Sequence, residues 1–386
     1  MKKFWKKAAV LAEAALLLLL FTGCWNYHEL ETYSIVAGIA VDKGENGYRY
    51  HVTFECLKMA GGTKNAQIQP LLVEEDGNTI FDAVRSTLRE SDKKLYFHHC
   101  RVVILSSDIA KEGLRSVTDW IKRDAEPRLT MDVVISKEKT AAEILRVKPK
   151  SGQLTAYQIS NTLAESGGYY GTSSGVRIFE MTNTLNSEGI SLVLPTIEKK
   201  ATDSGETLQL TGGAVFKGDR LVGWLDAEPA KYYALIRGKV RGGLLLTGIT
   251  PGSTQLCLEI QRCETKVKPV VSGDTVMVDI RVHMRTAFAE QDSETDLFSK
   301  IGIGGVERDA DRTVQYETTR VVKDVQQAFG TDIFGFGNLI YQNQPKEWKR
   351  LRPRWDQIFR KLKVHVTADV EIGNTALNNE KGEGLE

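Results

Sequence analysis

The feature that most constrains this chain is its N-terminus, where a basic and then apolar run leads directly into Cys24. Four lysines lie within the first seven residues, and the run 14–22 is apolar apart from its last residue. This is the layout of a bacterial signal peptide. A membrane-spanning helix needs about 20 apolar residues, and Glu13 interrupts the stretch, so the sequence favours cleavage over an uncleaved anchor.

The residues around Cys24 resemble a bacterial lipobox, in which the cysteine receives a diacylglyceryl group and becomes the new N-terminus. Thr22 and Gly23 are suitably small, whereas Phe21 stands where leucine is usual. Ordinary secretion with a chance cysteine is the alternative. We predict residues 1–23 as a lipoprotein signal peptide and Cys24 as the lipid attachment site. Two acyl chains hold a protein on a bilayer, and about nine extended residues then span at most roughly 30 Å before the first strand.

The composition excludes some classes of partner and site. The 386 residues include 51 Lys and Arg and 50 Asp and Glu, so neither nucleic acid nor an anionic surface is indicated as a global partner. Four further cysteines are too scattered for a disulfide scaffold or a CxxC zinc site, and we expect them to be small core residues: Cys56, Cys100, Cys257 and Cys263. Cys257 and Cys263 are an even number of residues apart, so on a single strand their side chains would lie on the same face.

The hydrophobic pattern predicts an α+β fold with mixed sheets, packed helices and several domains, three in number. We predict an N-terminal α+β region over 24–200, with an internal boundary near 148–175, and a C-terminal α+β domain over 201–386. Residues 33–57 read as a hairpin, and 108–123 as one helix. Thr79 and Asp82 have capping-box spacing at the start of a helix whose apolar face is formed by Ile80, Phe81, Val84 and Leu88. A long amphipathic helix is expected to end at Gly330.

Several segments, taken in order, resemble one known family. They are "GCWNYHELETYSIVAGIAVDK", "LYFHHCRVVILSSDIAKEGL", "WIKRDAEPRLTMDVVISK", "GGAVFKGDRLVGWLDAEPAKYYALIRGKV" and "DIFGFGNLIYQNQPKEWKR". Together they resemble the Ger(x)C or GerAC family, the C-subunit lipoproteins of bacterial spore germinant receptors. The matching positions include Glu29, the Gly-x-x-x-Asp pair Gly38 and Asp42, and the family histidine at His99. His28 stands where arginine is usual.

The resemblance implies a three-domain α+β protein without known catalytic activity. It also implies a complex with two integral-membrane receptor subunits, of the A and B types, and a lipid anchor on the outer face of the spore inner membrane. Pro353 departs from the family pattern because it falls inside an amphipathic helix, which it should kink or split.

Other motifs give no convincing chemistry. "GTSSG", with Ser173 in the nucleophile place, needs a preceding strand, and we expect a loop instead. His98 and His99 would point to opposite faces of a strand, one buried and one exposed. "EQDSETD" lacks the glycine of a calcium loop, and "GIGGVE" and "GFGNLI" lack the third glycine of a dinucleotide fingerprint. We therefore assign no catalytic, cofactor or metal residues.

The segment 346–363 is rich in basic residues, with apolar positions at helical spacing. We interpret it as a core-packed helix with a solvated basic face, and a membrane-surface patch is the alternative. The function predicted from the sequence is a non-enzymatic lipoprotein subunit of a nutrient germinant receptor. A solute-binding lipoprotein of a transporter is the alternative, and an extracytoplasmic hydrolase comes third.

Overall fold

The structure, a computed structural model, describes residues 1–20, 32–60, 67–124, 126–149, 152–169, 175–203, 205–247, 255–292 and 301–374. The helices over these ranges are α1 Lys2–Leu20, α2 Ile80–Ser86, α3 Ser107–Glu112, α4 Arg115–Arg123, α5 Ala142–Leu145, α6 Thr155–Tyr169, α7 Ile178–Asn186, α8 Ala227–Ile236, α9 Ile303–Ala328, α10 Phe336–Asn343, α11 Pro345–Leu351 and α12 Trp355–Phe359. None of these helices has the length and apolar content that a bilayer crossing requires.

The first sheet has nine strands, with parallel pairing at its centre and antiparallel pairing towards both edges. Its order is β3-β2-β1-β5-β6-β7-β8-β9, and β4 pairs with the start of β1. The strands are β1 Tyr33–Lys43, β2 Tyr50–Ala60, β3 Gln67–Gly77, β4 Lys94–Tyr96, β5 Val102–Leu105, β6 Asp132–Ser136, β7 Val193–Thr202, β8 Gly205–Lys217 and β9 Arg220–Leu225. Side chains of α2, α3, α4 and α7 pack on one face, and those of α5 and α6 pack on the other.

The second sheet has four strands in the order β10-β11-β12-β13. They are β10 Gly243–Thr247, β11 Gln255–Ser272, β12 Thr275–Asp292 and β13 Lys363–Asn374. The long connection from β12 to its parallel neighbour β13 carries α9, whose apolar stripe is buried against the sheet. The α+β class with mixed sheets, predicted from the sequence, is confirmed.

Local predictions are confirmed where periodicity and proline decide the backbone. Helix α9 ends as expected, with Gly330 at φ +58° in the left-handed region. Pro353 splits the basic segment into α11, a 3₁₀ turn and α12. The single helix expected over 108–123 is wrong, because Gly113 at φ +129° ends α3 and the chain restarts as α4.

Two further differences concern the N-terminal half. Strand β3 continues the expected hairpin into a three-stranded ribbon, although its sequence alternates poorly. Thr79 caps α2 by accepting the Asp82 N–H at 3.0 Å, as predicted, but Phe81 and Leu88 do not join its buried face. They remain 42% and 45% exposed.

The two sheets share apolar packing. Val193, Val215 and Leu225, from β7, β8 and β9 of the first sheet, belong to the same buried cluster as α9 and the second sheet. The domain boundary placed at 200/201 falls inside β7, and β7 pairs with β8 through that point. Helix α6 occupies much of the stretch 148–175 and packs on the first sheet. The division into domains stays a prediction.

Candidate functional site

Four residues singled out from the sequence lie outside the described residues: Cys24, as lipid attachment site, the family positions His28 and Glu29, and Ser173, in "GTSSG". For "GTSSG", the element that precedes it is informative. Helix α6 leads into that stretch, whereas a nucleophile elbow follows a strand. Most of "EQDSETD" also lies outside the described ranges.

The adjacent histidines occupy a turn between β4 and β5 rather than a strand. The prediction that one is buried is therefore wrong: His98 is half-buried and His99 is exposed. The His98 ring stacks on Tyr96 at 4.6 Å between centroids, and Tyr96 in turn contacts Tyr33 at 5.2 Å. This aromatic cluster lies at the start of the first strand and is explained as packing.

The four described cysteines are free thiols with different surroundings. Cys56 and Cys100 are buried, as predicted, and burial raises the pKa of Cys56 to about 12 and that of Cys100 further. Cys257 and Cys263 are only partly buried. Only Cys263 packs against the core, because a bulge between Ile260 and Arg262 reverses the alternation that would have placed both on one face.

The Gly-x-x-x-Asp pair of β1 has a structural role in anchoring two later helices. A Cβ on Gly38 would lie 2.6 Å from the Ala156 Cβ, so only glycine lets α6 approach β1 this closely. The Asp42 carboxylate accepts the N–H groups of Ala141 and Ala142 at 2.6 and 3.0 Å, at the start of α5. Burial raises the pKa of Asp42, and these N–H donors partly offset the rise.

Glu55 on β2 anchors the start of α6 in the same way that Asp42 anchors the start of α5. Its fully buried carboxylate accepts the Thr155 and Ala156 N–H groups, both at 2.8 Å. Burial raises its pKa as well. Each carboxylate binds backbone about a hundred residues away, which the sequence did not indicate.

A buried junction joins the two halves of the chain. The Asp332 carboxylate, 2% exposed, accepts the N–H groups of Phe334 and Gly335 on one oxygen and those of Gly337 and Trp355 Nε1 on the other. Burial raises the pKa of Asp332 to about 6 despite these four donors. The loop that Asp332 organises forms the C-terminal side of the junction.

The N-terminal side of the junction is the turn before β7. Ser191 N–H donates to the Asp332 carbonyl at 2.7 Å, and Asn338 N–H donates to the Gly189 carbonyl at 2.8 Å. The Glu188 carboxylate accepts a hydrogen bond from Trp348 Nε1 at 2.5 Å and forms an ion pair with Arg352 at 3.0 Å. The two backbones approach so closely that a Cβ on Gly189 would lie 2.4 Å from the Gly337 carbonyl carbon.

A groove beside α4 is an open site with an apolar floor. We call it the α4 groove; its volume is about 490 Å³, within the range of small-ligand pockets. It is lined by Arg49, Tyr50, Asn78, Thr79, Ile80, Phe81, Ser116, Asp119, Trp120, Arg123 and Asp124. Tyr50, Ile80 and Trp120 form the buried floor, and Phe81 stands exposed at the rim.

The rim of the α4 groove carries both signs of charge. Arg123 binds both oxygens of Asp119 at 2.8 and 2.9 Å, and Arg49 lies 5.2 Å from the Tyr50 ring centroid. Trp120 Nε1 is buried and has no hydrogen-bond partner among the described residues. Aromatic and arginine side chains around a desolvated floor are the composition of protein-interface hot spots. One sequence signal could have pointed to this groove, namely the aromatic Phe81 two residues beyond the capping residue Thr79.

The basic segment packs as expected. The five apolar residues at helical spacing are all buried: Trp348, Leu351, Trp355, Phe359 and Leu362. Several of its cations are engaged, since Arg350 and Arg354 both bind Asp274 and Arg352 binds Glu188. This confirms the interpretation of a core-packed segment with a solvated basic face.

Among the described residues, one group has the donors for a metal ion: His283, Asp369 and Glu371, exposed on the second sheet. No nucleophile, base and orienting group come together around the α4 groove or the junction.

Comparisons with known proteins point to the same kind of protein for both halves of the chain. Residues 26–199 match the model described as "Spore germination protein N-terminal domain", and residues 211–376 match "Spore germination B3/GerAC like, C-terminal". Spore germination protein KC of Bacillus subtilis is 24% identical over 384 residues, covering 94% of each chain. Spore germination protein B3 of the same organism is 23% identical, covering 96% of this chain and 98% of the relative.

One solved structure has the same fold. The crystal structure of the GerBC protein matches with a TM-score of 0.55 at 17% identity, covering 90% of this chain and all of that one.

Proposed function

The chain belongs to the GerAC family of spore germination proteins, and from that premise we propose that it is a lipid-anchored germinant-receptor subunit that acts through contacts with membrane subunits. The observation that carries the proposal is the match of both family models, in order, along almost the whole mature chain. Its relatives bear the names of spore germination proteins. A role in germination follows at the level of the family.

The finer parts of the proposal rest on the sequence and the groove. Lipidation of Cys24 would place the folded part within about 30 Å of the outer face of the spore inner membrane, which raises its effective concentration near membrane partners. The α4 groove is the proposed contact surface for one of the two integral-membrane subunits. Phe81 would be the exposed anchor, and the buried floor would complete a hot spot.

The junction argues against the solute-binding alternative. Proteins that close on a solute rotate two lobes about a few loop residues. Here the lobes share a buried apolar cluster, and their connecting backbones touch at Gly189 and Gly337. Opening such a junction would expose the Asp332 network and the shared core together.

The proposal is tested by deleting the chain and restoring it with variants. Deletion should abolish germination with the nutrients of the cognate receptor, lower the level of the partner subunits and leave other receptors working. Restoration with Phe81→Glu should keep the subunit at its normal level but weaken its co-purification with the membrane subunits several-fold. Tyr316→Glu, on the exposed face of α9, is the matched control because Tyr316 is also an exposed aromatic residue on a helix.

Three outcomes would contradict the proposal. Normal germination of the deletion strain on every nutrient tested would count against the receptor role. Equal loss of co-purification in the two aromatic variants would remove the α4 groove as the contact surface. Tight binding of a nutrient by the isolated chain, measured by calorimetry, would favour the solute-binding alternative.

A further inference from the structure

The open face of the second sheet carries three potential metal ligands from two strands. The parallel register of β12 and β13 places His283 directly opposite Asp369, and strand alternation places Glu371 on the same face two residues on. One ligand atom from each residue lies within 4.8 Å of the other two. The three residues are exposed, so an ion from solution has direct access to them.

We propose that His283, Asp369 and Glu371 bind a divalent zinc ion, with the fourth position left to water. Zinc takes imidazole nitrogen and carboxylate oxygen at about 2.0–2.2 Å in a tetrahedron, whose edges are then about 3.3–3.5 Å. His283 Nδ1 and Asp369 Oδ2 are 3.1 Å apart, close to such an edge. Only Glu371 has to move inwards to complete the set, and as an exposed side chain it is free to do so.

The donor set selects among metals. Calcium and magnesium take oxygen ligands in coordination shells of six or more, which one imidazole and two carboxylates do not supply. Imidazole suits zinc, and three protein ligands with one open position are typical of zinc sites that bind an exogenous fourth ligand. Arg285 lies in register with Glu371 and is a competing cation, so we expect modest affinity.

The same two strands contain a matched control. His365 on β13 is paired in register with Asp279 on β12, and their nearest side-chain atoms are 3.7 Å apart. The positions flanking this pair on the same face are Lys363 and Thr367, which offer no third ligand of this kind. A cross-strand His–Asp pair is therefore present twice, but only one copy has the additional carboxylate.

Zinc titration of the full chain in detergent, followed by calorimetry near neutral pH, tests the site. We expect one zinc per chain, and a Co²⁺ substitute should show the intense visible absorption of tetrahedral coordination. His283→Ala and Asp369→Asn should each weaken this binding by at least about tenfold, whereas His365→Ala should leave it unchanged. Thermal unfolding of each variant without zinc controls for folding, since all the replaced side chains are exposed.

The result is decisive in either direction. Absence of zinc binding to the full chain, or equal losses in the His283→Ala and His365→Ala variants, would overturn the proposal. Magnesium binding as tight as zinc binding would overturn the choice of metal. Binding that weakens at acid pH and is lost in His283→Ala alone of the two histidine variants would support it, because protons compete for the imidazole nitrogen.

Discussion

Replacing Asp332 by asparagine should destabilise the protein by an amount that depends on pH. The amide oxygen of asparagine can replace one carboxylate oxygen and keep the N–H groups of Phe334 and Gly335. Its NH₂ group then faces the Gly337 N–H and Trp355 Nε1, which lose their acceptor. An unsatisfied buried donor costs about 1–3 kcal/mol, so two should cost about 2–6 kcal/mol.

The charge on Asp332 changes this cost above its pKa. Burial raises the pKa from 3.8 to about 6 on folding, so the native state favours the protonated form. The corresponding stability is fully present below the unfolded value and is lost as pH rises through about 6. At 1.36 kcal/mol per pKa unit, the whole shift is worth about 3 kcal/mol, and about 2 kcal/mol of it is lost between pH 4 and pH 7 because the unfolded carboxyl is already partly ionised at pH 4. Asparagine does not ionise, so the variant does not show this loss of stability as the pH rises.

Urea unfolding of the native protein and the variant at a series of pH values measures the difference directly. The stability advantage of the native protein should fall by about 2 kcal/mol between about pH 4 and pH 7. Asp309→Asn is the control for replacing a carboxylate by an amide at an exposed position on α9. An advantage that grows with pH would refute the reasoning, because it would mean that the four donors outweigh burial and hold the pKa of Asp332 below its usual range.

Four other perturbations test the remaining assignments. Gly38→Ala should cost about 1–3 kcal/mol through overpacking against Ala156, and Ala156→Gly should restore part of it, which a double-mutant cycle of unfolding measurements would detect. Cys24→Ala should abolish metabolic labelling with a fatty acid, and label that persists would refute the lipid attachment. Cys56 and Cys100 should react with an alkylating reagent only after unfolding, since both thiols are buried, and rapid labelling of the native protein would contradict that burial. Calorimetry of the chain from Tyr33 onwards should give one unfolding transition, because its two sheets share a core, and two separate transitions would contradict this packing.

Local pattern was enough to predict the elements whose backbone is decided by nearby residues. The 3.6-residue spacing of α9 and the stop at Gly330 are properties of one continuous segment, as is the split at Pro353. The buried apolar residues from Trp348 to Leu362 follow from the same spacing. The sequence did not predict that Gly113 separates α3 from α4, because a glycine inside a helical pattern is compatible with either continuation or a break of the helix.

The candidate sites were not predictable because each is assembled by long-range register. Glu55 and Thr155 meet across a hundred residues, and His283 and Asp369 across 86. Ligand motifs with short sequence spacing therefore do not reveal the group formed by His283, Asp369 and Glu371. Bulges add to the difficulty, since the one between Ile260 and Arg262 reverses the face of every residue that follows it.

The construction of the junction limits how such a subunit can transmit a signal. The shared cluster and the 188–191 turn connect the two ends of the chain, and both are packed too closely for an independent lobe rotation. The chain is then suited to move as one body relative to its partners or to hold them at a fixed spacing. Under the proposed function, the contacts with partner subunits lie on its exposed surfaces, and the α4 groove is the proposed one. A rigid subunit would couple its partners by geometry, so weakening that groove should affect the complex without altering the fold.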